Sequence, residues 1–159
     1  MTAAPSNFVL LLDLAKETSS EKRRELLRQI TDVFLADPPE RSDNETLLFD
    51  EIVHAVAADL ETQVRIELSR KVATSNVMVH RTARRLAMDE IDVARPVLEG
   101  AKQLSEADML EVIEHKSQDH MAALAKHPNI GTNVSSALVE KGQDRVVVSL
   151  LENRTAQID

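Results

Sequence analysis

Leu60-Glu61-Thr62-Gln63-Val64-Arg65-Ile66-Glu67-Leu68-Ser69-Arg70-Lys71-Val72-Ala73-Thr74 is the stretch whose reading decides the fold. Leu60, Val64, Leu68 and Val72 recur every fourth residue and form one apolar stripe of an α-helix. Ile66 and Ala73 fall on a second face of the same helix. A helix that is apolar on two sides must be covered on two sides, as an inner helix of a stacked array is.

Outward from this stretch the punctuation remains helical. The chain has only three Gly and five Pro, and most stand where helices should begin or end. Asp37-Pro38-Pro39 closes a helix that starts near Ser20. Ser42 followed by Glu45, and Ser105 followed by Asp108, have the spacing of capping boxes. Gly100 and Gly142 follow apolar-periodic runs, which predicts left-handed positions just past helix ends. His127-Pro128 stops another helix. Pro96 is accommodated if Asp92 is an N-cap, because the fourth helical residue has no intrahelical acceptor for its amide. The run Val146 to Leu151 reads as strand or helix, and helix is preferred because a lone strand would have no partner. The expected helices are 6–16, 20–36, 43–58, 61–74, 77–89, 92–99, 105–116, 118–127, 131–141 and 144–153.

Composition bounds the class. A chain of 159 residues, 43% apolar and 29% charged, supports one domain with a real core and is not disordered as a whole. Three Phe, no Trp and no Tyr leave an aliphatic core and no aromatic platform for stacking bases or planar cofactors. The absence of Cys excludes disulfides, thiolate metal sites and cysteine nucleophiles. The N-terminus has no basic leader, and its apolar run stops at Asp13, which is unlike a signal peptide. No apolar stretch approaches the roughly 18 residues of a membrane span. A cytoplasmic protein without cofactor or metal is therefore expected. The net charge of −8 argues against generic binding to nucleic acid or anionic membranes.

A faint internal repeat aligns Val72-Ala73 with Leu124-Ala125, Leu86 with Leu138, and Val97-Leu98 with Leu150-Leu151. The offset of 52 to 53 residues exceeds the ~40–47 of a plain HEAT unit, which predicts an additional helix in each unit. From about Leu60 onward, a set of elements in fixed order carries a family resemblance. These are Leu86-Ala87-x-Asp89, Val93-x-x-Pro96-Val97-Leu98, Leu104-Ser105-x-x-Asp108-Met109-Leu110, His120-x-x-Ala123-Leu124-Ala125, Val134-Ser135-x-Ala137-Leu138-Val139 and Leu150-Leu151-x-Asn153-x-x-Ala156. In these the chain resembles the bacterial domain-of-unknown-function 2336 family, found mostly in alphaproteobacteria. The resemblance implies an all-α fold, a HEAT-like α-solenoid of about ten short helices, with no catalytic residues to carry over. Together with the chain's length it predicts a single helical-repeat domain over 1–159, with leading helices in 1–59 and family-like repeats in 60–159. Because family members are often longer, the chain is expected to be the N-terminal part of a longer protein. A solenoid end without a polar cap would expose apolar surface and favour a homodimer.

The most informative functional feature is a charge asymmetry. Residues 65–85 carry Arg65, Arg70, Lys71, Arg81, Arg84 and Arg85 against one acid, Glu67. On one helix His80, Arg81, Arg84 and Arg85 share a face, while Val79, Ala83, Leu86 and Ala87 share the opposite one. Arg suits bidentate recognition of carboxylate or phosphate. The candidate partner-binding residues are thus Arg70, Lys71, His80, Arg81, Arg84 and Arg85, facing an acidic or phosphorylated protein. The competing expectation is that these cations pair in-chain with Asp89, Glu90 or the cluster Glu106, Asp108 and Glu111. The alternative function is a HEAT-like domain gripping the backbone of a nucleic-acid duplex.

Other chemistry finds little support. Glu111, His115 and Asp119 have metal-like spacing, but Lys116-Ser117 should break the helix before Asp119. His54 and His80 lack the surroundings of a phosphorelay histidine. His120 reads as a packed histidine with one satisfied nitrogen, and Asn153 as a residue that satisfies backbone at a helix end. No phosphate-cradling glycine loop, nucleophile elbow or calcium loop occurs. The expectation is a binding module, not an enzyme.

Overall fold

The computed structural model describes residues 7–35 and 42–158. Among them are ten helices and no strand: α1 (Asn7–Lys16), α2 (Ser20–Phe34), α3 (Asp43–Ala57), α4 (Thr62–Thr74), α5 (His80–Ala87), α6 (Ile91–Gly100), α7 (Glu106–His115), α8 (Gln118–Leu124), α9 (Thr132–Lys141) and α10 (Asp144–Glu152). The Asp37-Pro38-Pro39 stop expected from the sequence lies outside the described residues. No helix among the described residues is long and apolar enough to cross a membrane.

The stretch that opened the sequence reading is α4, and its two apolar faces are both covered. Val64, Leu68 and Val72 are buried, and Ile66 and Ala73 are half-buried against the same core. α4 packs on α2, α5 and α6. Even-numbered helices then follow one another, α6 against α8 and α8 against α10, while α3 packs on α5 and α7 on α9. The helices α5, α7 and α9 begin at residues 80, 106 and 132, so two consecutive helices occupy 26 residues. The offset of 52 seen in the sequence therefore spans four helices, and no additional helix is inserted between them.

The core is aliphatic, with one stacked aromatic pair, Phe34 on Phe49 at 4.6 Å between ring centroids. A series of buried and half-buried polar side chains ties successive turns together. Gln103 Nε2, just after α6, donates to the carbonyls of Val72, Ser75 and Val77, in the last turn of α4 and the segment that follows it. His127 Nε2, after α8, donates to the Ala101 carbonyl at the end of α6. Asn153 Nδ2, after α10, donates to the carbonyls of Ala125 and His127. Each satisfies carbonyls at a helix end or in the turn just past it, which lack intrahelical partners. Burial holds the His127 imidazole below its ordinary pKa against the opposing pull of the Ala101 carbonyl. Its Nδ1 meanwhile accepts from the Asn129 amide, which fixes the neutral tautomer.

Ser105 and Asp108 form the expected capping box at α7. At α3, Ser42 Oγ accepts from the Glu45 amide as expected, without the reciprocal bond. Three expectations are corrected. α5 starts at His80 rather than 77, because Val77 and Val79 are buried in the non-helical segment before it. Neither Gly100 nor Gly142 is left-handed: Gly100 is the last residue of α6, and Gly142 has φ −80°. The N-cap of α6 is Glu90, not Asp92, so Pro96 sits inside the helix.

Pro96 thereby removes the amide that would donate to the Asp92 carbonyl. The helix survives because Val93, Ala94, Val97 and Leu98 are all completely buried on it. Pro96→Ala restores the missing donor and is expected to stabilise the fold by about 1–3 kcal/mol, read as a higher urea midpoint. An unchanged midpoint would show that the ring's own packing offsets the lost bond.

Candidate functional site: a basic concavity on α5

Helix α5 is amphipathic in the way its sequence predicts. Val79, Thr82, Ala83, Leu86 and Ala87 are completely buried, while His80, Arg81 and Arg84 are exposed and Arg85 is half-buried. Its first turn is held from another helix. Val79, the N-cap residue, has no side-chain acceptor, and the buried Asp50 of α3 takes that role. Asp50 Oδ2 accepts from the Arg81 amide at 2.9 Å and Oδ1 from the Thr82 amide at 2.8 Å.

The exposed face of α5 borders an open concavity of about 600 Å³, lined by His80, Arg81, Arg84 and Arg85, by His54 of α3, and by Met88, Asp89 and Glu90. Arg70 and Lys71 do not line it. The six candidate residues thus separate. Lys71 turns to α2, where it meets Asp32 at 2.9 Å and Thr31 Oγ1 at 3.2 Å. Arg70 is exposed on α4.

In-chain partners neutralise part of the basic cluster. Arg84 makes a two-pronged contact to Glu111 on α7, with Nη2 2.7 Å from Oε2. Hydrogen bonding to Glu111, and then its charge, hold the Arg84 guanidinium above its ordinary pKa. His80 Nε2 lies 2.7 Å from Asp108 Oδ2. Arg65 engages both oxygens of Asp89, at 2.8 and 3.2 Å. Among the described residues Arg81 and Arg85 have no carboxylate within ion-pair distance, and Arg70 has none either.

His54 is the lining residue that the charge pattern did not single out. It comes from a helix about 30 residues upstream of α5, and only the packing of α3 on α5 brings it to this face. Its Nδ1 is sealed from solvent with no hydrogen-bond partner. An orphaned buried N–H is rarer and costlier than an under-satisfied acceptor. The proton therefore belongs on Nε2, which makes His54 a donor. His54, Arg81 and Arg85 together offer N–H groups and no acceptor, a set suited to an oxyanion.

The other singled-out residues have structural partners. Asp119 is taken by Arg145 at 2.6 Å, and Glu111 by Arg84. His120 is buried with both nitrogens engaged, Nε2 with the Asp89 carbonyl and Nδ1 with Ser117 Oγ, where one satisfied nitrogen was expected. Asn153 satisfies backbone at helix ends, as expected.

Residues 93–159 match the family model described as an uncharacterised protein conserved in bacteria (DUF2336). The resemblance to DUF2336 covers α7 to α10 and most of α6, and the concavity lies ahead of the matched stretch. No curated protein and no solved structure matches the chain.

Proposed function

We propose that this chain is a HEAT-like α-solenoid acting as a cytoplasmic protein-interaction module, which docks an acidic or phosphorylated protein on the exposed face of α5. The observation that carries this reading is the concavity in which Arg81 and Arg85 have no counter-ion among the described residues. Like charges four residues apart on a helix repel, and an anionic partner relieves that repulsion. The helix spacing of 26 residues and the successive packing of even-numbered helices support the solenoid part of the reading. Binding of this kind needs no nucleophile or general base.

The informative variant is Arg81→Glu/Arg85→Glu, which leaves the Arg84–Glu111 contact intact. Affinity capture from native cell extract with this variant is expected to lose the proteins retained by the wild type. Arg70→Glu, a charge reversal outside the concavity, is expected to retain them. Equal retention by the double variant would remove α5 as the docking face. Steeply salt-dependent capture of duplex DNA would instead favour the nucleic-acid reading.

A further inference from the structure

We infer that the group held in the concavity is a phosphomonoester on a partner protein's side chain, bound between Arg81, Arg85 and His54. The inference rests on the reading of α5 as a docking face and names the chemistry that face recognises. Arg81 and Arg85 stand one turn apart on α5, and His54 comes from α3, so the donors are supplied by two different helices. A carboxylate offers two coplanar oxygens, which suits a single guanidinium fork. A phosphomonoester offers three oxygens in a tetrahedral array and close to two negative charges, which suits two guanidinium groups and a third donor from another direction.

The acids at the rim sharpen the selection. Asp89 is consumed by Arg65 and by the Glu90 amide, so its charge is largely answered within the chain. Glu90 remains exposed at the edge of the concavity. Together with the total charge of −8, it disfavours extended polyanions and leaves a compact, doubly charged group as the better fit. The concavity also has room for the side chain that bears the phosphate, not only for the ion.

The test is an NMR titration of the whole chain with N-acetyl-phosphoserine methylamide, inorganic phosphate, the N-acetyl-glutamate analogue and a short DNA duplex. The phosphoserine compound is expected to shift the side-chain resonances of Arg81, Arg85 and His54, and to bind at least roughly tenfold more tightly than the glutamate analogue. Arg81→Gln and Arg85→Gln, both at solvent-accessible positions, are each expected to weaken it by roughly tenfold, and Arg70→Gln to leave it unchanged. Equal binding of the glutamate analogue would overturn the phosphate assignment while leaving α5 a docking face. Equal binding of inorganic phosphate would overturn the assignment to a side-chain ester. Tighter binding of the duplex would replace the protein partner by nucleic acid. If Arg70→Gln weakened binding as much as Arg85→Gln, bulk charge rather than the concavity would be responsible. Loss of the docking face itself is read separately, from the extract capture with Arg81→Glu/Arg85→Glu.

Discussion

Asp50→Ala is expected to destabilise the protein by about 2–4 kcal/mol, because one buried carboxylate serves two amides of another helix. The first amides of any helix lack intrahelical acceptors. α5 has no side chain of its own to supply one, since valine is its N-cap. Alanine at 50 would leave the Thr82 amide buried beside a gap, and Thr82 Oγ1, which donates to the Asp50 carbonyl, sits in the same pocket. Asp50→Asn keeps one acceptor oxygen but turns an NH2 group toward the second amide, so it should recover less than half of the loss. Urea unfolding of both variants checks the ordering. A loss below about 1 kcal/mol for alanine would mean that water reaches the first turn of α5 and replaces the carboxylate. The same substitution should weaken phosphoserine binding, since the turn that Asp50 anchors begins with Arg81.

Much of this architecture is legible in the sequence because helix formation here is governed by local rules. The four-residue apolar interval of Leu60, Val64, Leu68 and Val72 marks a buried helix without knowledge of what buries it. The caps at Ser42 and Ser105 depend on residues only three positions away. Errors arise where local pattern and tertiary position part. Val77 and Val79 continue the apolar periodicity of α5, yet they are buried in a non-helical bend, and periodicity alone does not separate the two. Pro96 was expected near a helix start because an isolated helix could not tolerate it deeper. In the fold, complete burial of four neighbours on α6 outweighs the lost bond.

The candidate site divides in the same way. That His80, Arg81, Arg84 and Arg85 share an exposed face follows from the helical period and holds in the structure. Which of these cations remain unpaired depends on Glu111 and Asp108, 27 and 28 residues away from Arg84 and His80 in the chain. Lys71 likewise looks like its neighbours in sequence, but it is turned to Asp32 on α2. His54 joins the site only through the packing of α3 on α5. No spacing rule in a single sequence encodes those pairings, so composition could identify the basic face but not its working subset.

Gly142→Ala is expected to destabilise the fold by about 2–3 kcal/mol, and Gly100→Ala to stabilise it by about 0.5–1 kcal/mol. Both glycines close helices and look equivalent in sequence, and neither adopts a positive φ. What separates them is space. A Cβ at Gly100 would meet only the Ala73 carbonyl, at an ordinary 3.9 Å, so alanine there gains helix propensity without a clash. A Cβ at Gly142 would press on the Leu138 carbonyl and stand 2.6 Å from Val146 Cγ1 and 2.8 Å from its Cβ. The Leu138 oxygen cannot retreat freely, because it accepts the Gly142 amide that closes α9. Val146, on the first turn of α10, is itself completely buried. Relief would have to come from moving α10 away from α9, and Gln118, which bridges the Lys141 carbonyl and the Gln143 amide, resists that movement. Opposite signs for the two alanine variants in thermal unfolding would establish close approach, rather than backbone handedness, as the reason for glycine at 142. A neutral Gly142→Ala would instead show that α9 and α10 separate with little resistance. Because this junction is far along the chain from the α5 concavity, the folded Gly142→Ala protein should still bind the phosphoserine compound normally.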